Sequence, residues 1–182
     1  MVRFAGTGES IRFALKRDRL ILPLCLAGLI GWMAIYVISY SGLYSTQAEL
    51  NALYKSVAGN PALIAMTGPT GGLRTLGGAT AWESLPIVSI ISGVFAMFSV
   101  IRHSRAEEED GRTELLLASG SGRLAPLTAA LIVTSAALTL TAIGNFAVLA
   151  IADYEVGPSI LLSLAILGFG LVITGTTAFF VQ

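Results

Sequence analysis

Four stretches of this chain are apolar over the length needed to cross a bilayer, ~20 residues at helical rise. They cover about residues 20–43, 82–101, 126–151 and 158–181. The second has its core from Leu85 to Ile101, with its start carried back to Trp82. The four cores contain no Asp, Glu, Lys, Arg or His. Spanning backbone must satisfy its own hydrogen bonds, so the expectation is all-α: a polytopic membrane protein with one four-helix transmembrane domain over residues 1–182. Charged residues are 12% of the chain, against ~25% in a soluble domain. Mean hydropathy is +0.79. A disordered tail, a basic nucleic-acid binder and an ordinary soluble enzyme are disfavoured together.

Charge sets the orientation. The first 19 residues hold Arg3, Arg12, Lys16, Arg17 and Arg19, and the segment between the second and third spans holds Arg102, Arg105, Arg112 and Arg123. Only Lys55 and Arg74 lie between the first two spans. The positive-inside rule therefore places the N-terminus in the cytoplasm of a multi-pass plasma-membrane protein. The first span is too long for a cleaved signal peptide and reads as a retained anchor. Residues 8–19 fit a short interfacial helix with Ile11, Ala14 and Leu15 on one face and cations on the other. His103, at the end of the second span, is expected at the interface.

The loop 44–82 is too long for a turn. Thr46 and Glu49 fit a capping box, and Leu50, Leu53, Tyr54 and Val57 follow at helical spacing. Gly59-Asn60-Pro61 ends that helix, and a second helical turn is expected from Pro61 to Met66. Gly68-Pro69 and Gly71-Gly72 mark irregular chain, completing an extracellular helical cap.

Chemistry is sparse. One cysteine (Cys25) permits no internal disulfide and reads as a small buried hydrophobe; one histidine and one cysteine do not make the usual zinc sites. No Gly precedes Lys16 or Lys55, so there is no phosphate-cradling Walker A loop. The chain is expected to bind no cofactor, ATP and Mg belonging to a partner, and not to be an enzyme. The absence of a carboxylate or histidine in the cores also counts against a proton-coupled carrier.

Two sets of residues are candidates for function. Trp32, Tyr36, Tyr40 and Tyr44 recur every four residues, forming one aromatic stripe on the first span. The stripe suits flat hydrophobic compounds, and it equally suits helix packing with an interfacial belt. Span three is rich in hydroxyls (Thr128, Thr134, Ser135, Thr139, Thr141), which usually bond to backbone or neighbouring helices, and carries Asn145, a candidate substrate contact. Ala27, Gly31, Gly168, Gly170 and Gly175 read as close-packing positions. The second candidate is cytoplasmic, RHSRAEEEDGRTELLLASGSGR over residues 102–123. The second helix is expected to extend to Asp110, break at Gly111 and resume as a short amphipathic helix. From composition alone this segment is either a solvated loop that sets topology or a knob for a soluble partner.

Glu109-Asp110-Gly111-Arg112-Thr113-Glu114-Leu115-Leu116-Leu117 resembles the acidic Gly-x-x-Glu-x-Leu-Leu signature in the same loop of type-2 ABC exporter permeases. Arg112 stands where that family often has Thr, and Gly120-Ser121 where it has Pro. FAGTGESIRFALKRDR, Asn60-Pro61-Ala62-Leu63, Gly68-Pro69, Trp82 and the run from Arg105 to Glu109 are similar to actinobacterial permeases for polyketide and related antibiotic export. The resemblance implies a longer permease of which this is the first part, with the remaining spans or a second permease half as neighbours besides lipid. It also implies an ABC ATP-binding subunit docked on Glu107, Glu108, Glu109, Asp110, Gly111, Arg112, Glu114, Leu115, Leu116 and Leu117 as coupling element, and an elbow role for the basic N-terminal helix. The chain stops at Gln182 on an apolar span with no anchoring cation, so a fragment is expected. The alternative is a small membrane scaffold or sensor subunit recruiting another cytosolic protein.

Overall fold

The computed structural model describes residues 6–109 and 124–181. Its helices are α1 (Thr7–Arg17), α2 (Ile21–Leu43), α3 (Gln47–Ala58), α4 (Pro61–Thr67), α5 (Leu76–Glu109), α6 (Ala125–Ile151) and α7 (Val156–Val181), with a 3₁₀ turn over Gly71–Arg74. Among the described residues there is no strand. α2, α5, α6 and α7 are long and apolar enough to cross a membrane.

The four long helices pack as a lozenge. α5 and α6 touch each other, and both touch α2 on one side and α7 on the other, with α5 against α7 the most extensive pairing. α2 is the peripheral member: 17% of its most apolar window is buried, against 44% for α6. Met33, Val37, Val88, Leu149, Leu162 and Ile166 meet in the centre with Tyr154 at the rim. Water is absent from both the core and the lipid around it, so helix association rests on close packing. Gly144 is one example, where a Cβ would collide with the end of the Ile30 side chain on α2. Gly170 is likewise filled by Leu138, as expected of a packing position. Among the described residues nothing lies within 4 Å of a Cβ added at Gly31, Gly168 or Gly175, so these three do not pack against the helices of this bundle.

The segment between α2 and α5 folds over one end of the bundle. Thr46 Oγ1 accepts from the Glu49 amide while Glu49 Oε2 accepts from the Thr46 amide at 2.9 Å, the reciprocal pair expected of the capping box. Asn60 Oδ1 accepts from the amides of Ala62 and Leu63 and starts α4 with Pro61 in its first turn. Leu50, Val57, Leu73, Ala79 and Tyr40 form a second core under this cap.

One boundary differs from the sequence expectation. α5 begins at Leu76, not Trp82, and takes Gly77 and Gly78 into the helix. The reason lies in the cap. A Cβ on Gly78 would collide with the Gly72 carbonyl, so a glycine at 78 lets the 3₁₀ turn sit directly on the first turn of α5. Pro86 lies inside α5 and removes the amide that would bond the Trp82 carbonyl.

Candidate functional site

At the bundle end that carries α1, a buried carboxylate gathers three cationic or titratable groups. α1 ends at Arg17, and the chain turns through Asp18 into α2, leaving Asp18 4% exposed. Arg102 and His103 reach it from α5, some 85 residues later. Arg102 Nη2 is 3.0 Å from Asp18 Oδ1, and His103 Nε2 is 2.9 Å from Oδ2, close but outside hydrogen-bond geometry. Arg17 Nη2 donates to the Arg102 carbonyl at 3.0 Å and lies 2.8 Å from His103 Nδ1. A guanidinium only donates, so Nδ1 accepts and the imidazole proton sits on Nε2, facing Asp18. His103, which the sequence places at the interface, is 4% exposed inside an ion cluster. A buried polar ring is held by partners, and these come from the α1–α2 junction. Asp18, the one acid among Lys16, Arg17 and Arg19, was the available signal.

α1 runs from Thr7 to Arg17, two residues short of the expected end, because the chain turns at Asp18, and it buries only part of the expected face. Ala14 is buried against α6, whereas Leu15 and Phe13 are exposed. Cys25 is free and half-buried.

Of the candidate docking residues, Glu107, Glu108 and Glu109 lie in the last turn of α5, so the expected helical extension past the span is present as backbone. Asp110, Gly111, Arg112, Glu114, Leu115, Leu116 and Leu117 lie outside the described residues.

The aromatic stripe divides between two surroundings. Tyr40 is 7% exposed, with its ring centroid 6.4 Å from that of Tyr36 and 5.3 Å from that of Tyr44. Tyr36 and Tyr44 are half-buried against the cap core, and Trp32 stays 45% exposed on the flank of α2. The Tyr40 hydroxyl donates to Glu83 Oε2 on α5. Glu83 is not among the candidates read from the sequence, because the apolar core of the second span begins at Leu85. The signal was its place beside Trp82.

Asn145 is apart from the stripe. It faces the interior from α6, fully buried, with neither amide atom bonded. Its helical neighbours behave as hydroxyls in lipid usually do: Thr134 bonds Ser99 across to α5 at 2.7 Å, and Thr128, Thr139 and Thr141 bond carbonyls one turn back. At the cap end, a cavity of about 170 Å³ is lined by Leu76, Leu149, Asp153, Tyr154, Glu155 and Leu162. Burial pushes the Tyr154 phenol above its ordinary value, partly offset by its 2.9 Å contact with Thr80 Oγ1.

Comparison with known proteins agrees with this architecture. Residues 19–181 match the sequence model of a family described as "Multidrug efflux system permease Rv1217c, C-terminal domain". The multidrug efflux system permease protein Rv1217c of Mycobacterium tuberculosis (strain ATCC 25618 / H37Rv) is 33% identical over 177 residues, covering 96% of this chain and 32% of the relative. The chain therefore spans about a third of the length of that relative. The family description names its C-terminal domain, whereas the resemblance suggested a first part. With four membrane-length helices and a match running from the α1–α2 junction to the last turn of α7, the chain belongs to the multidrug efflux permease family.

Proposed function

We propose that this chain is the membrane-spanning portion of an ATP-driven exporter of hydrophobic compounds, with the α1 end in the cytoplasm of a plasma-membrane protein. It hydrolyses nothing itself; a separate ABC subunit binds ATP and Mg and docks on residues 107–117. The observation that carries this reading is the course of α5. It runs unbroken from the cap through the bundle to Glu109 and leads into the acidic Gly-x-x-Glu-x-Leu-Leu segment. On its way α5 passes the ion cluster that ties it to the junction of α1 and α2, and its last described residue, Glu109, lies six residues beyond His103. Most of the cations gather at this end, which the positive-inside rule assigns to the cytoplasm. A push on the docking segment would therefore reach two spans together through Asp18, Arg102 and His103.

The test is co-purification of the ATPase with the full chain and with Glu114→Arg and Gly111→Pro. Both variants are expected to insert normally and to lose the ATPase. Retained binding would remove this segment as the docking site. If the wild type itself captured no ATPase, the scaffold reading would replace the exporter.

A further inference from the structure

Glu83 is the only carboxylate within the described membrane-length segments. Its side chain is exposed on the bundle flank, and its partner is a neutral phenol, Tyr40. The ion pairs among the described residues all involve Asp18, at the opposite end, so no described cation neutralises Glu83. The two cations of the cap region are accounted for elsewhere: Arg74 stacks on the Tyr54 ring at 4.2 Å, and Lys55 is exposed on α3.

Depth follows from helix rise. Twenty residues separate Glu83 from His103, about 30 Å along α5, one hydrocarbon thickness. With His103 at one boundary, Glu83 stands at the other, where a carboxylate is only partly hydrated. The aromatic stripe leads to it. Trp32 to Tyr44 climbs about 18 Å along α2, from the middle of the span to this boundary. Trp32 is open to the membrane, and the half-buried rings of Tyr36 and Tyr44 flank Tyr40, which holds the carboxylate. Ring faces attract cations, and a carboxylate in poor solvent attracts them more strongly than in water.

We propose that Glu83, presented by Tyr40 at the top of this ladder, is a binding site for the positive centre of a lipophilic aromatic cation. Trp32, Tyr36 and Tyr44 take its flat apolar body from the membrane. The inference rests on the exporter reading and adds a substrate class to it. Glu83 and the tyrosines would touch the ligand directly. Tyr40 also positions the carboxylate, because its hydroxyl holds one carboxylate oxygen and leaves the other for the ligand.

The test is equilibrium binding of radiolabelled tetraphenylphosphonium to the purified full chain in detergent. Triphenylphosphine oxide serves as an uncharged comparator of similar ring content. Tetraphenylphosphonium is expected to bind the wild type, at least ten-fold more weakly to Glu83→Gln, and within about three-fold of wild type to Glu83→Asp. Binding of the neutral comparator should change less than two-fold in either variant. Tyr40→Phe should weaken the cation several-fold and leave the comparator alone.

Equal losses for both compounds would make Glu83 structural and overturn the proposal, as would wild-type affinity in Glu83→Gln. Absence of cation binding to the wild type would overturn it too. If Glu83→Gln fails to insert, Glu83→Asp decides: cation binding within about three-fold of wild type with the comparator unchanged supports the site, and equal losses of both compounds overturn it. Cation binding without ATP-dependent transport in proteoliposomes would sink the exporter reading alone and leave the site standing.

Discussion

Removing the charge of Asp18 while keeping its shape isolates the electrostatics of the joint between the α1–α2 junction and α5. In Asp18→Asn the side chain stays in place, but Arg102 loses a carboxylate oxygen 3.0 Å away and His103 one at 2.9 Å. Breaking a fully buried pair costs roughly 3–5 kcal/mol, because the surviving charge is stranded. This pair is only half buried: the Asp18 side chain is 6% exposed and that of Arg102 is 43% exposed. Arg102 can recover hydration, and the effect falls to about 2 kcal/mol. For a domain of this size that corresponds to a fall in Tm of about 4–8 °C. The assay is thermal unfolding of the purified full chain in detergent, in a double-mutant cycle with Arg102→Gln. The singles should couple by about 1 kcal/mol, since each removes one partner of the same contact. A change below about 0.5 kcal/mol for Asp18→Asn, or an additive cycle, would refute the claim that this carboxylate holds the two helices together.

Other substitutions probe separate links. Gly78→Ala drives a Cβ into the Gly72 carbonyl, and hydrogen exchange should show the cap loosened from α5 at a cost of about 1–3 kcal/mol. Thr46→Ala should lower the stability of α3 by about 1 kcal/mol, read from exchange of the Gln47–Glu49 amides. Glu49 accepts chiefly from the Thr46 amide, which holds its carboxyl below the usual 4.5. Its support for α3 is therefore present above that ordinary value and lost as pH falls through the lowered one, so protection of the first-turn amides, relative to their intrinsic exchange, should fall in acid and do so less in Glu49→Gln. Asn145→Leu removes an unbonded buried amide and should raise stability by about 1 kcal/mol; lost export in that more stable variant would assign the amide to the substrate path.

The features read correctly from the sequence are those encoded within a turn or two. The spans follow from composition, and the α3 cap follows from Thr46 and Glu49, three residues apart. The Asp18–His103 joint was hidden because its halves lie 85 residues apart, and the lone acid among the N-terminal cations does not say which later residue meets it. Glu83 was hidden by a helix start. Gly77-Gly78 suggest irregular chain, yet Gly72 packing against Gly78 lets the helix begin there. The glycines of α7 misled for a related reason: spacing shows that close approach is possible but not which face meets a neighbour. The aromatic stripe was visible as a period of four, while its division between cap core and open flank depends on where α3 and the 3₁₀ turn settle.

The glycine contact at the head of α5 has a bearing on how these permeases can be recombined. A cap welded to the first helical turn of the second span cannot be exchanged at the apparent loop ends, because a donor cap would arrive without the matching Gly78. The unit of exchange runs instead from Thr46 to Pro86, the position at which α5 already lacks one backbone hydrogen bond. Chimaeras cut at those two points should assemble, and chimaeras cut at Thr75 should not.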